Sequence, residues 1–444
     1  MTIQTFPEML RLHPQRDSLY AELHSRPFQV IATPSRITHI AVLCNEEEKA
    51  RQFDHLISLC ERLEIQPPIK DSVCIELELG PLRIRREKHM EFTSYTFIAR
   101  CEVNGGSPFD ETGISTLPEG WLGELPGKVV AAFHVAVEDG SEQRDLMLPK
   151  VKRYFEGMRL VGSSPQSGDA RVWTTFQLHS DGFGRFLVYN KQMSDSQLGR
   201  LVQRLMEIET YRLMALLSLS TARAFGPRLA EMDEELAQIT GQLAADSQYK
   251  DEQAILGQLT DMAARVESCR AESTFRFSAT QAYHELVSQR LAELREDEVS
   301  GHLTIKEFMT RRLTPAVRTC NAVSRRLEDL SRRIDRVSDM MRTRVELSIQ
   351  AQNQELLASM DRRSRIQLMM QHTVEGLSVA AISYYAVGLV KYLLEALYGA
   401  GFKFDKSLVL GIAVPLVIGL VWFSTRRIHR HFLQLATDKA DEKK

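Results

Sequence analysis

The run "SLVLGIAVPLVIGLVWFST", residues 407–425, contains no charged side chain and constrains the fold more than any other segment. A helix that crosses the ~30 Å hydrocarbon core of a bilayer needs about 20 predominantly apolar residues. Basic residues follow this run at once, and Trp422 lies near that end, where interfacial aromatic residues are common. The run therefore predicts a transmembrane helix over 407–425 and a basic tail over 426–444. A buried core helix is the alternative.

A second, less apolar segment precedes it at 373–398. Its centre, Leu377–Val390, is uncharged, but Lys391 and Glu395 follow. A charge at mid-bilayer depth costs about 3 kcal/mol. Both charges lie toward the far end of the helix, where they can reach the interface or pair at i,i+4 spacing. We therefore expect a two-helix hairpin whose outer turn covers 399–406.

The flanking charges predict how the hairpin is oriented. Basic residues lie before the first span and after the second, so the positive-inside tendency places both termini in the cytoplasm. The first residues contain no apolar core, so we expect no signal peptide. The six cysteines are scattered, which suits a reducing compartment. The formal net charge of −2 does not favour a nucleic-acid partner.

Residues 1–192 favour an α/β domain, so the predicted fold is an α+β cytoplasmic part followed by long helices and the hairpin. A helical pattern at residues 46–65 separates the first two of five strand-like runs. These runs are rich in β-branched and aromatic residues: Ile37–Leu43, Val73–Leu79, Tyr95–Val103, Val129–Val137 and Val172–Leu178.

Helical patterns dominate from residue 193 to the first span. We predict a cytoplasmic helical domain over 193–313, with Ser194 as an N-cap, a break at Gly226-Pro227 and a helix near 258–300. Thr314-Pro315 has the form of a helix start, so a stalk helix is expected over 314–372. Its coiled-coil-like or stacked-helix stripe comprises Val323, Leu327, Leu330, Ile334, Val337 and Met341.

One face of the first span is polar or small throughout. At helical spacing it comprises Glu375, Ser378, Ala381, Tyr385, Gly388, Tyr392, Glu395 and Gly399. In a symmetric oligomer this stripe could line an axial pathway, with carboxylate rings at its ends. Small and polar residues also serve close helix packing in membranes, and both interpretations stay open.

No enzyme motif is present: the sequence lacks Walker A, GxGxxG, HExxH and GxSxG patterns. We therefore expect no catalytic residues and no cofactor beyond a divalent cation. His89 and Glu91 alternate in "KHMEF" and could bind a metal with His24 or His134. A hydrogen-bonded structural histidine is the more frequent case.

Two resemblances add to these predictions. "HPQRDSLYAELHSRPF", "HSDGFGRFLV", "RLVQRLMEIETYRLMALLSL" and "LLASMDRRSRIQLMMQHTVEGLSVAAISYYAVGLV" resemble a bacterial family known as domain of unknown function 3422. That resemblance covers nearly the whole chain. It implies a membrane-anchored bacterial protein and no activity. Together with the predicted hairpin, this gives a multi-pass protein of the bacterial inner membrane, in contact with lipid.

The overall build also resembles CorA-type magnesium and cobalt transporters, whose outer turn reads Tyr-Gly-Met-Asn-Phe. The matching residues are Tyr398, Gly399, Ala400, Gly401 and Phe402. The resemblance implies ion transport by a homo-oligomer, a pentamer if the likeness holds. Because the turn lacks the asparagine amide that contacts a hydrated cation, family-type magnesium selectivity does not follow. A membrane-anchored scaffold or sensor without transport is the alternative.

Overall fold

The structure is a computed structural model that describes residues 13–22, 28–101, 106–140, 148–245, 252–400 and 405–441. The chain divides into two compact units, Met1–Ser338 and Asp339–Lys444. The first unit combines a mixed sheet with helices, and the second consists of helix. Gly401 and Phe402 of the predicted outer turn lie outside the described residues, as does His24.

One mixed β-sheet organises the first unit. Its strands in chain order are β1 (Ser35–Leu43), β2 (Cys74–Leu79), β3 (Leu82–Lys88), β4 (Phe92–Arg100), β5 (Lys128–Asp139), β6 (Val161–Ser164), β7 (Ala170–Thr174), β8 (Gly184–Asn190) and β9 (Asp297–Glu298). Their order across the sheet is β2-β3-β4-β1-β5-β8-β7-β6-β9. The β5–β8 pair is parallel, and the other described pairs are antiparallel.

The helices in chain order are α1 (Arg16–Glu22), α2 (Glu46–Arg62), α3 (Leu148–Tyr154), α4 (Asp195–Leu216), α5 (Ser218–Ala245), α6 (Glu252–Leu294), α7 (Ile305–Gly399) and α8 (Lys406–Asp441). Helix α7 continues from the first unit into the second. The structure thus contains the expected α+β region, long helices and two apolar helices near its C-terminal end.

The sheet is covered on both faces. One core contains Ile37, Phe133 and Val188 from the strands together with apolar residues of α4, α6 and the start of α7. A second core, built on Leu56 of α2 and Trp121, covers β2, β3 and β4 from the other side. Strand β1 is buried at eight of its nine residues, so both of its faces are covered. Residues before and after position 192 therefore share one core.

Each of the five predicted strands overlaps an observed one, although the bounds differ by several residues. Strand β3, "LRIRREK", was not predicted because its charged residues oppose a strand assignment. The side chain of Arg86 is nevertheless fully buried and donates to Asp71 at 2.7 Å. Arg85, also buried, donates to Glu87 at 2.6 Å. Ion pairs, one of them with Asp71 outside the strand, make the burial of these arginines possible.

Helix α4 begins as predicted. Ser194 accepts a hydrogen bond from the Gln197 amide, and the Gln197 side chain accepts one from the Ser194 amide, which forms a capping box. The break predicted at Gly226-Pro227 is wrong, since Pro227 lies inside α5. Phe225 and Leu229 on either side of it are buried, and this packing outweighs the hydrogen bond that proline removes.

The start predicted at Thr314-Pro315 is also wrong, because α7 begins at Ile305. The Thr304 hydroxyl accepts a hydrogen bond from the Glu307 amide at 3.0 Å. The Glu296 carboxylate accepts hydrogen bonds from the amides of Ile305 and Lys306, at 3.1 and 2.6 Å. These acceptors satisfy the first free N–H groups of the helix. Pro315 therefore lies in its interior. Likewise, α6 covers Glu252–Leu294 instead of 258–300.

The apolar stripe predicted on the long helix is buried at Leu327, Leu330 and Ile334. Beside it, Arg326 and Arg333 both bond Asp233 of α5 at 2.7 Å. Within the first unit, this face therefore packs as a stacked helix.

Gly199 marks a close approach between α4 and the segment that enters the sheet. A Cβ atom at this position would lie 1.8 Å from the Gln29 carbonyl oxygen, while the Ile31 amide bonds the Asp195 carbonyl at 3.2 Å. We expect Gly199→Ala to force these backbones apart and to cost about 1–3 kcal/mol or more. Thermal unfolding of the purified chain measures this. Gly257→Ala, which meets no atom within 4 Å, is the control. Equal melting temperatures for the two variants would contradict the prediction.

Candidate functional site

The predicted polar stripe lies on a single continuous helix. Every member from Glu375 to Gly399 belongs to α7. Tyr385 and Tyr392 are each 72% exposed, while Glu375 and Gly388 are half-buried. The Tyr398 side chain is not among the described ones. The chain by itself therefore leaves most of this face uncovered.

The opposite face of α7 differs. Ser383 is only 5% exposed, and its hydroxyl has no hydrogen-bond partner among the described residues. At 100° per residue it lies about 160° around the helix from Ala381 and Tyr385. Sequence reasoning missed Ser383, although a lone serine in an apolar run was a visible signal. Ser383 and the polar stripe thus lie on opposite sides of the helix.

Charges mark both ends of the stripe. Glu375 Oε2 lies 3.7 Å from His372 Nδ1, one turn earlier. Lys391 and Glu395, which the i,i+4 spacing predicts to pair, form no ion pair with each other in the described structure, and both are exposed. The Glu395 carboxylate therefore remains available to a ligand or to another chain.

Helices α7 and α8 each contain a segment long and apolar enough to cross a membrane. These segments lie within Ile305–Leu397 and Ser407–Arg427. Their most apolar stretches are almost entirely exposed within the chain. A core helix of a soluble protein buries such a stretch, so this exposure favours the membrane interpretation of 373–398 and 407–425. At the end of the second stretch the Arg426 guanidinium lies 4.9 Å from the centre of the Trp422 ring.

His89 and Glu91 form no metal site among the described residues, and His24, one of the two further ligands considered, lies outside them. Glu91 Oε2 pairs with Arg276 Nη1 at 2.8 Å. The pKa of the Tyr283 hydroxyl is raised by burial of that side chain and by the neighbouring Glu91 carboxylate. His89 stacks on Phe92, with ring centroids 4.1 Å apart. No group of three His, Cys, Asp or Glu residues in the described ranges could hold a metal ion. Both side chains therefore have partners within the described fold.

A cavity with polar residues in its lining lies between the sheet and α4 and has a volume of about 70 Å³. His39 lines it, and its Nδ1 lies 2.8 Å from Thr96 Oγ1. Burial lowers the pKa of His39 to about 3, so the ring is neutral at physiological pH. The Thr210 hydroxyl, also in the lining, is buried and has no hydrogen-bond partner among the described residues.

The carboxylates of this cavity are compensated. Glu87 pairs with Arg85 at 2.6 Å, and Glu207 pairs with Arg290. The cavity can therefore exchange hydrogen bonds with a small uncharged polar group. Among its described residues, no nucleophile and base are arranged for catalysis. It was not foreseen from the sequence, because His39, Glu87 and Thr210 come from three separate elements.

Comparison with known proteins gives one positive result. No curated protein matches the sequence at a significant level. Residues 11–432, nearly the whole chain, match the family described as "Protein of unknown function (DUF3422)". The chain therefore belongs to this family.

Proposed function

We propose that α7 and α8 anchor this protein in the bacterial inner membrane and that several copies assemble around the polar stripe to conduct cations. One observation supports the proposal: six of the eight stripe residues, among them Tyr385, Tyr392 and Glu395, are exposed on a predominantly apolar helical segment. Polar and ionisable groups are costly against lipid and usually face a bundle interior or a water-filled path. A second copy would supply that interior.

The chemistry of the stripe suits hydrated divalent cations. Ser378, Tyr385 and Tyr392 offer hydroxyl groups, and Glu375 and Glu395 would form two carboxylate rings. Such hard oxygen ligands favour cations of the magnesium class. The resemblance to CorA-type transporters points the same way and suggests a pentamer with cytoplasmic N- and C-termini. Ala400 replaces the methionine of that motif, so ion selectivity is expected to differ.

A membrane-anchored scaffold or sensor is the second candidate. In that case the hairpin is a tether, and the stripe closes against other helices. The polar cavity beside α4 favours this candidate, because an unpartnered buried hydroxyl such as Thr210 is costly without a ligand or water. The two candidates make different predictions for ion flux.

Divalent-cation flux into liposomes containing the purified full-length protein tests the first candidate. We expect the Glu375→Gln/Glu395→Gln double variant to lower flux about tenfold or more, since each carboxylate ring attracts cations by about 1 kcal/mol even in a watery pore. Glu355→Gln, an exposed carboxylate of α7 ahead of the stripe, is the matched control and is expected to leave flux unchanged.

Two outcomes would count against conduction. An oligomer that passes no more cation than protein-free liposomes, beside a working channel, would favour the tether. A monomer in several mild detergents and in nanodiscs would remove the shared pathway altogether.

A further inference from the structure

Three arginines converge on a second cavity of the first unit. Arg200 and Arg204 lie one turn apart on α4, and Arg295 directly follows α6. The cavity has a volume of about 220 Å³, with Leu201 as part of its apolar floor. None of these residues belongs to the stripe or to the cavity that contains His39.

The cavity carries an excess of positive charge. Arg204 Nε donates to Glu293 at 3.1 Å, and the same carboxylate accepts from Arg290 at 3.0 Å. Burial by itself would raise the pKa of Glu293, but these cationic donors outweigh it and lower the pKa, so Glu293 is ionised. Within the described part of the chain, Arg200 and Arg295 form no ion pair. The lining of the cavity thus contains three guanidinium groups and one carboxylate.

Packing positions the guanidinium of Arg200. It lies 5.1 Å from the centre of the Phe28 ring, in a cation–π contact. The side chain is therefore held at the cavity wall without a carboxylate partner. Arginine in this arrangement presents planar N–H donors that match oxyanions in a bidentate manner.

The backbone around the cavity is held in an unfavourable conformation. Arg295 has φ 45°, and Gln166 and Ser167 have φ 52° and 58°, all in the left-handed region. Such conformations occur preferentially at binding sites when the surroundings maintain them. Here Gln166 Nε2 donates to the carbonyls of Glu293 at 3.1 Å and Leu294 at 3.4 Å. The amide thereby shields an incoming anion from the electronegative end of α6.

We propose that Arg200, Arg204 and Arg295 form a binding site for a phosphate-bearing oxyanion with at least two negative charges. Two guanidinium groups without carboxylate partners favour a ligand with more than one negative charge, and the cavity is large enough for a pyrophosphate group. The anion would join α4 to the end of α6 and the Gln166 turn. The site is independent of any cation pathway.

Titration calorimetry of the detergent-purified full-length protein with inorganic pyrophosphate, at constant ionic strength, tests the site. We expect saturable binding that Arg200→Gln and Arg295→Gly each weaken about tenfold or more. Arg295→Gly is the sharper variant: glycine adopts φ 45° without strain, so its melting temperature should equal or exceed that of the wild type. The control is Arg265→Gln, which removes a cation elsewhere on α6 that pairs with Glu235 of α5. Its affinity for pyrophosphate should equal that of the wild type.

A second arm distinguishes free phosphates from lipid headgroups. The titration is repeated in nanodiscs with and without phosphatidylglycerol. Loss of pyrophosphate binding only with the anionic lipid would identify a headgroup as the ligand, and unchanged binding would identify a soluble one. Absence of saturable binding in every condition, or wild-type affinity in both arginine variants, would overturn the proposal.

Discussion

Lowering the pH from about 7.5 to about 4.5 is expected to destabilise the sheet unit by about 5 kcal/mol, because two buried histidines stay neutral in the folded chain. Burial lowers the pKa of His39 to about 3 and that of His134 to about 4, against an ordinary value of 6.5. Each ring lies in the core, where His39 bonds Thr96 and His134 bonds Thr38.

The direction follows from the protons bound in each state. Below pH 6.5 the histidines bind protons in the unfolded chain but not in the folded chain. The stabilisation is therefore complete above pH 6.5 and declines as the pH falls. The decline ends near pH 4 for His134 and near pH 3 for His39. Each pH unit costs about 1.4 kcal/mol per histidine. Glu156 and Asp181, whose pKa values the folded structure lowers, add to the loss in acid.

The melting temperature of the detergent-purified chain across this pH range measures the effect, at about 2–4 °C per kcal/mol. The His39→Asn/His134→Asn variant should show a much flatter pH dependence, because asparagine can bond the threonine partners without titrating in this range. His13→Asn, at an exposed position, should keep the wild-type profile. A double variant with an unchanged profile would show that other groups cause the acid sensitivity.

Replacing Trp121 by alanine is expected to cost about 3–5 kcal/mol, the range for a fully buried large aromatic side chain. The indole is 0% exposed, stacks on His55 at 4.7 Å and meets Phe97 edge-on at 6.2 Å. It belongs to the core that joins α2 to strands β2–β4, so its removal leaves a cavity at the centre of that layer. Partial collapse would lower the cost.

Chemical unfolding of wild type, Trp121→Phe and Trp121→Ala gives a graded test. Phenylalanine keeps most ring contacts and should cost about half as much or less. Ile69→Ala, at a side chain that is 96% exposed, should change stability by less than about 0.5 kcal/mol. A loss at Trp121→Ala as small as that at Ile69→Ala would show that this layer does not limit stability.

Much of the fold was predictable because its signals are local. Strands β1 and β5 are rich in apolar and β-branched residues, a strand signal that the sequence displays directly. The Ser194 capping box needs only residues three apart. Strand β3 could not be recognised, because the partners that allow Arg85 and Arg86 to be buried include Asp71, outside the strand.

The same distinction applies to the sites. The stripe from Glu375 to Gly399 follows from helical periodicity alone, and the structure places it on one helix. The metal hypothesis for His89 and Glu91 rested on their spacing. In the structure, Arg276, 185 positions away, donates a hydrogen bond to the Glu91 carboxylate. A carboxylate that forms a close ion pair with an arginine is less available to a metal.

By itself, the sequence determined the two apolar helices, the charges that flank them and the polar face of α7. These properties depend on composition and on a 3.6-residue period, which neighbours along the chain carry. Only the tertiary structure decided that Ser383 and Arg86 are buried and that three arginines line one cavity. Those outcomes depend on contacts between distant segments, whose geometry no local pattern encodes.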